Sequence, residues 1–401
     1  MNTAPPPSVV GWPWQRQLLA ALGCALLGML VHLATFVPVQ LATVGLAVGV
    51  IGSAFLLGWA ADAGEAVFHG GLVLAAVALA TVLPELIIEV RFAFTQQAEL
   101  VTANLTGATR LLLTGAIAMP LAAAYIAYRR RQAAVAFQLA ASRRLELAIL
   151  LIASIFALQI VTRGELTLVD GIVLLALYLL YARRVQGTPD EEPAVVGVPA
   201  GLLSLPPRYR RRSIAALVVV AAAVIAAIAN PFADALLETG TSLGLDPYLL
   251  IQSIVPLATE APEFVVVAVL VAHRRPAQGL ALFLAASVSQ WTLAIGVLPF
   301  AYLAGGGGPG IALGGREQVE LVLTIAVTLF VVAALASRRP EATDSWLMLC
   351  VFAVELAYPT PFVRIALAFI LLVYAINLLC ARRHDVGRFL RTALVRRRAP
   401  G

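Results

Sequence analysis

Two five-residue segments hold the side chains best suited to chemistry. Thr81-Val-Leu-Pro-Glu85 and Thr259-Glu-Ala-Pro-Glu263 each set out threonine, proline and glutamate in the order T-x-x-P-E, midway along an apolar stretch of bilayer-spanning length. A carboxylate near a bilayer centre costs roughly 2.5–3.5 kcal/mol on insertion scales, so an intramembrane glutamate marks an ion or substrate site by default. Each proline, Pro84 and Pro262, removes an amide donor and disrupts the helix one turn back, so carbonyls of residues such as Ala80, Thr81, Ala258 and Thr259 can leave the helix ladder. Freed carbonyls at membrane depth are tolerated where they line a cavity, and they are good cation ligands. Glu85 and Glu263 add charge, while Thr81 and Thr259, four residues earlier, add hydroxyls on the same face of a continuing helix. Oxygen-only donors suit Ca²⁺, which takes about 6–8 of them, or an alkali cation. The plainer alternative is a kinked structural helix whose glutamate bonds to a neighbour. Two occurrences in matched context weigh against it.

These segments need a helical membrane bundle to position them. The chain of 401 residues is 61% hydrophobic and 12% charged, with a mean hydropathy of +0.92. A soluble domain is about 45–50% apolar and about 25% charged, so the composition specifies a polytopic membrane protein. Apolar runs cover 17–37, 39–60, 73–94, 103–127, 144–162 and 166–182, then 213–233, 248–272, 278–303, 318–337, 344–358 and 362–380. The expected fold is all-α, about twelve spans with 10–12 admissible, built as two inverted-topology repeats of about five helices each plus flanking helices. The divisions are a first segment and span (1–38), a first repeat (39–182), a cytoplasmic linker (183–212), a second repeat (213–381) and a basic tail (382–401). The Pro-rich N-terminus leads into a segment of spanning length, which argues against a cleavable signal.

The charge pattern gives an orientation. Every one of the 28 basic residues is arginine. With the N-terminus cytoplasmic, the inside loops hold Arg129–Arg131 with Arg143 and Arg144, the Arg-rich linker, His273-Arg-Arg275 and Arg338-Arg339, and the tail carries seven more. The connection 61–72, with Asp62 and Glu65 and no base, is the exception in kind. This follows the positive-inside rule and places both termini in the cytoplasm of a plasma or inner membrane. The net charge of +6 is then a matter of topology, not of nucleic-acid binding. The spans holding Glu85 and Glu263 run in opposite directions, the arrangement that brings paired binding elements together near the midplane.

Similarity between the halves extends past the pentapeptide. Ala61-Asp-Ala63 precedes the first motif and Ala233-Asp-Ala235 the second. The spans that follow read Ala103-Asn-Leu-Thr-Gly-Ala-Thr-Arg110 and Ala285-Ala-Ser-Val-Ser-Gln-Trp-Thr292, rich in small and hydroxyl residues. Asn104, Thr106, Thr109, Ser287, Ser289 and Gln290 are therefore candidate neutral ligands, each with ordinary interhelical bonding as its alternative. Glu260 either adds a third carboxylate to the site or faces a neighbouring helix. Glu89, one turn past Glu85, can support the site from behind or act as a cavity-lining proton site, but a pair with Arg91 or a snorkelling interfacial position is its favoured reading. Arg110 would repel a cation unless it faces outward or pairs with a glutamate. Asp170 and Glu355 read as span ends or bundle pairs.

Other functions find little support. Cys24, Cys350 and Cys380 show neither metal spacing nor a disulfide framework, and the four histidines are scattered. No phosphate-binding loop is present, and Gly305–Gly310 reads as a flexible external loop. A transporter is expected, not an enzyme: its partners are the lipid bilayer and transported cations such as Ca²⁺, Na⁺ or H⁺, with no cofactor, nucleotide or nucleic acid.

At these residues the chain resembles the cation/calcium antiporter superfamily, the sodium/calcium exchanger group in particular. That group carries approximately G-T-S-x-P-E on one helix of each inverted repeat and G-S-N-x-x-N on the next. Thr81, Pro84 and Glu85 match the first copy and Thr259, Pro262 and Glu263 the second. By register Gly107-Ala-Thr109 and Ser287-Val-Ser289 fall at the G-S-N positions, so Thr109 and Ser289 stand for asparagines, and Val82 and Glu260 for the motif serines. The resemblance implies a cation antiporter working by alternating access, exchanging Ca²⁺ or a monovalent cation for Na⁺ or H⁺. Its alternative is a non-transporting scaffold or sensor that keeps the fold. Two or three carboxylates crowded in a low-dielectric cavity would hold a proton when empty and release it to a cation.

Overall fold

A computed structural model describes residues 13–34, 36–67, 71–129, 141–185, 195, 197–272, 275–336, 342–381 and 387. The chain is a series of helices: α1 (Trp14–Leu33), α2 (Val39–Val67), α3 (Gly71–Phe94), α4 (Ala98–Arg110), α5 (Ile117–Arg129), α6 (Ala141–Arg163), α7 (Leu168–Val185), α8 (Val198–Leu203) and α9 (Pro207–Ser242). It continues with α10 (Pro247–Thr259), α11 (Ala261–Ala272), α12 (Pro276–Ser289), α13 (Ile295–Ala304), α14 (Gly315–Leu335), α15 (Ala342–Ala357) and α16 (Pro361–Ala381). Each of the twelve apolar runs is helical over most of its described residues. Among the described residues eight helices are long and apolar enough to cross a membrane, nine if the bent pair α10–α11 counts as one span.

Two loop readings change. The connection 61–72 is largely helix, because α2 runs on to Val67 and carries Asp62 with it. The linker 183–212 contains α8, and α9 starts at Pro207, so Arg208 and Arg210–Arg212 form its polar first turns. Pro207 suits that first helical position, where its missing amide costs nothing. The arginines at 130–131, 274, 338–339, 382–383 and beyond, with His69 and His273, lie outside the described residues.

The helices group into two compact units, residues 1–88 with 190–265 and residues 89–189 with 266–401. In the first unit α1, α2 and α9 pack closely. A Cβ on Gly49 would lie 2.6 Å from the Gly28 Cα, so α1 and α2 touch backbone to backbone there. Close approach through small residues is what packs helices where lipid tails are as apolar as leucine. Thr43 fixes α2 on α9, its hydroxyl 2.9 Å from Ala235 O and 2.8 Å from the Thr239 hydroxyl.

The second unit holds two helices of matching irregularity. Between α4 and α5 lies a π-helical segment, Leu111–Ala116, and between α12 and α13 another, Gln290–Ala294. Single π turns inside α-helices are frequent at functional sites. Thr114 donates to Arg110 O at 2.6 Å and Thr292 to Val288 O at 2.5 Å. Such back-bonding disturbs a helix, and Pro120 and Pro299 follow to remove a donor further on. Thr292 stands 178 residues after Thr114, the interval that also separates Glu263 from Glu85. A two-stranded antiparallel sheet, β1 (Glu165–Thr167) and β2 (Gly310–Ala312), pairs Leu166 with Ile311. The expected external glycine loop thus ends in strand.

Candidate cation site

The two T-x-x-P-E segments adopt different backbones. In the first, α3 continues through Pro84. In the second the helix ends at Thr259, bends at Glu260 and restarts at Ala261, with 52° between α10 and α11. Pro262 then sits in the first turn of α11, where no amide is needed. The expected helix break therefore occurs at one copy; at the other, Pro84 removes the donor for Ala80 O inside an unbroken helix.

In the first unit the motifs meet. The Thr259 hydroxyl lies 3.4 Å from Glu85 Oε1, 3.1 Å from Val255 O and 3.3 Å from Pro256 O, so one proton serves three acceptors. Glu85, Thr259 and Glu260 are all buried. Glu263 is half-buried, and its Oε2 is shielded from solvent with no hydrogen-bond partner among the described residues. Glu260 and Asp62 are the carboxylates whose charges act on it. Thr81 belongs to α3, and its side chain lies outside the described residues.

Asp62 is a residue that the sequence reading placed in a loop. A Cβ on Gly58 would stand 3.9 Å from the Pro262 Cβ, so α2 passes beside the second motif, and Asp62 follows one turn later on α2. The repeated Ala-Asp-Ala triplet was its signal in the sequence. Among the described residues no group of three or more His, Cys, Asp or Glu side chains converges to hold a metal ion. A cation here would therefore need hydroxyl and carbonyl oxygens as well as carboxylates.

The other candidate ligands belong to the second unit. The Thr109 hydroxyl donates to Leu105 O at 2.8 Å and Ser289 to Ala285 O at 3.2 Å, while Gln290 is fully buried at the start of its π segment. Glu89 is fully buried and accepts from Asn104 Nδ2 at 3.2 Å. Asp170 caps the start of α7, accepting from Thr167 N at 2.8 Å and pairing with Arg163.

Arg110 finds its partners in the protein interior. It pairs through Nη1 with Glu320 and through Nε with Glu355, each at 2.8 Å, and Arg364 pairs with the same Glu320 oxygen. Two arginines and two glutamates from α4, α14, α15 and α16 thus form a buried set of zero net charge. Sequence reasoning left Glu320 and Arg364 unremarked, although an intramembrane charge with no evident partner was the available signal.

The sodium/calcium exchanger protein family model matches residues 37–185 and 213–380. No curated protein sequence matches the chain. Solved structures similar to it include the H⁺/Ca²⁺ exchanger CAX, at 31% identity over 95% of this chain and 97% of that one, with a TM-score of 0.87. The Ca²⁺/H⁺ antiporter protein YfkE shares the fold at 14% identity over 90% of this chain and 99% of its own, TM-score 0.59. The sodium-calcium exchanger NCX_Mj does so at 15% identity, covering 85% of this chain and 99% of its own, TM-score 0.51. With a family model spanning most of both halves and a relative matched almost end to end, this integral membrane protein belongs to the sodium/calcium exchanger family.

Proposed function

We propose that the chain is a secondary-active cation antiporter, moving Ca²⁺ or a monovalent cation against H⁺ or Na⁺ by alternating access at Glu85 and Glu263. The contact that carries this reading is Thr259 to Glu85, which joins one motif copy to the other across 174 residues of sequence. Thr81 and Thr259 would supply neutral oxygens, with Glu260 adding charge where the family motif has serine; within the second unit Thr109, Ser289 and Gln290 are proposed as neutral cation ligands. Bulged and broken helices beside these residues suit a path of backbone oxygens. Proton as the counter-ion is favoured by the extra carboxylate Glu260, which stands where the family motif has serine. The likeness to an H⁺/Ca²⁺ exchanger supports the same choice.

Inverted membrane vesicles loaded with a pH dye and a calcium dye test the reading. Cation addition should drive proton movement in the opposite direction, and Glu85→Gln or Glu263→Gln should abolish it. Exchange at wild-type rate and affinity in either variant would remove the two motifs from the ion path. Absence of flux for every cation tried would favour the scaffold or sensor reading.

A further inference from the structure

Helix α14 carries a polar stripe along one face. Glu320, Thr324 and Thr328 follow at four-residue intervals, and each is at most 2% exposed. Residues so spaced on a helix are neighbours about 5–6 Å apart. Thr324 donates to Glu320 O at 2.8 Å and Thr328 to Thr324 O at 2.7 Å, which leaves the hydroxyl oxygens facing outward as acceptors.

Two donors use this stripe, one from each half of the sequence. Arg110, the residue before the first π segment, donates to Glu320 O at 3.2 Å and Thr324 Oγ1 at 3.3 Å and pairs with the Glu320 carboxylate. Trp291, inside the second π segment, donates from Nε1 to Thr328 Oγ1 at 3.0 Å. Both bulged helices are therefore held by one face of one helix, at successive turns. Apart from Glu317 in its first turn, the rest of the α14 interior is leucine, valine, alanine, isoleucine and phenylalanine. Such surfaces fix a helix's register weakly in a bilayer, where apolar packing has no hydrophobic driving force. Buried donors and acceptors fix it strongly, because a slip of one residue orphans them.

We propose that α14 is a registration spine, with Glu320, Thr324 and Thr328 as positioning residues that hold both π segments in their bulged form. Their consequence for transport is indirect: Thr109 adjoins Arg110, and Ser289 and Gln290 immediately precede Trp291, so the spine sets where these oxygens stand. This consequence rests on the antiport reading above.

The test uses full-length protein in vesicles, measuring initial rate against cation concentration. Thr328→Val keeps side-chain shape and removes the acceptor. The half-saturating concentration should rise about tenfold, the equivalent of one buried hydrogen bond, with the maximal rate changed less than about twofold. Thr328→Ser should restore wild-type behaviour. Trp291→Phe removes the donor, and the double variant Trp291→Phe/Thr328→Val should be no worse than Trp291→Phe alone, because it leaves no orphan. Unchanged half-saturation in Thr328→Val, or additive losses in the double variant, would overturn the proposal. Glu85→Gln is run alongside. Flux surviving that variant would sink the antiport site while leaving the Thr328 comparison to decide the role of α14.

Discussion

Thr259 reaches Glu85 across 174 residues of sequence, hydroxyl to carboxylate at 3.4 Å. The separation is long for an O–H···O bond, so the contact fixes proximity more than it adds stability. It is nevertheless the geometry that two copies of one motif need in order to share a cargo. Thr259→Val should raise the half-saturating cation concentration about 3–10-fold, as expected for losing one oxygen worth roughly 1 kcal/mol. Thr259→Ser should leave it near wild type. Equal behaviour of the valine and wild-type proteins in a flux titration would show that the hydroxyl only ties the α10 end to its own helix.

The buried charge set around Arg110 gives a prediction about stability. Glu320 takes both arginines on one oxygen. Removing one partner of a buried pair leaves an uncompensated charge, at about 3–5 kcal/mol. Glu320→Gln should therefore lower the thermal midpoint of the detergent-solubilised protein most. Glu355→Gln paired with Arg364→Gln keeps the sum at zero and should unfold at a higher temperature than either single variant. Additive losses would mean that the four groups are not coupled.

Much of the architecture was written in the apolar runs, because a span needs only length and hydropathy. The two motifs were equally plain, since an intramembrane Pro-Glu pair has few neutral explanations. What composition could not convey was continuity. A proline allows both a kink within a helix and the start of a new one, and Pro84 and Pro262 took different options. Asp62 was obscured for a related reason: a polar residue near a span end reads as loop until α2 is seen to extend past it. The two π segments left only a trace, in Thr114, Thr292 and the prolines after them, because a one-residue bulge barely alters hydrophobic periodicity.

Asp62 should matter to ion handling though it lies outside the motifs. Its charge acts on Glu263, and it follows Gly58, which packs against Pro262. Asp62→Asn should shift the pH dependence of exchange while preserving cation-dependent flux. An unchanged pH profile would assign Asp62 to packing at the end of α2.

The close approach of α1 and α2 is open to a steric test. Any side chain on Gly49 meets the Gly28 backbone and the Ile228 side chain. Overpacking of this kind costs about 1–3 kcal/mol. Gly49→Leu should lower the thermal midpoint, whereas Gly23→Leu, on a position with open space around it, should not. Equal midpoints for the two variants would place Gly49 outside the packing that holds the first unit together.

Proton competition supplies the last expectation. If Glu85 and Glu263 carry both proton and cation, each displaces the other, and apparent cation affinity must weaken as pH falls. The sign follows from mass action: more protons leave fewer free carboxylates, so a higher cation concentration is needed for half-saturation. Glu260 decides how steep the effect is. It is buried at the bend between α10 and α11 and its charge acts on Glu263. Removing that charge in Glu260→Gln should flatten the pH dependence without abolishing exchange. Flux titrations at several pH values separate the outcomes, because a steep, unaltered profile in Glu260→Gln would place this carboxylate against a neighbouring helix and outside the ion path.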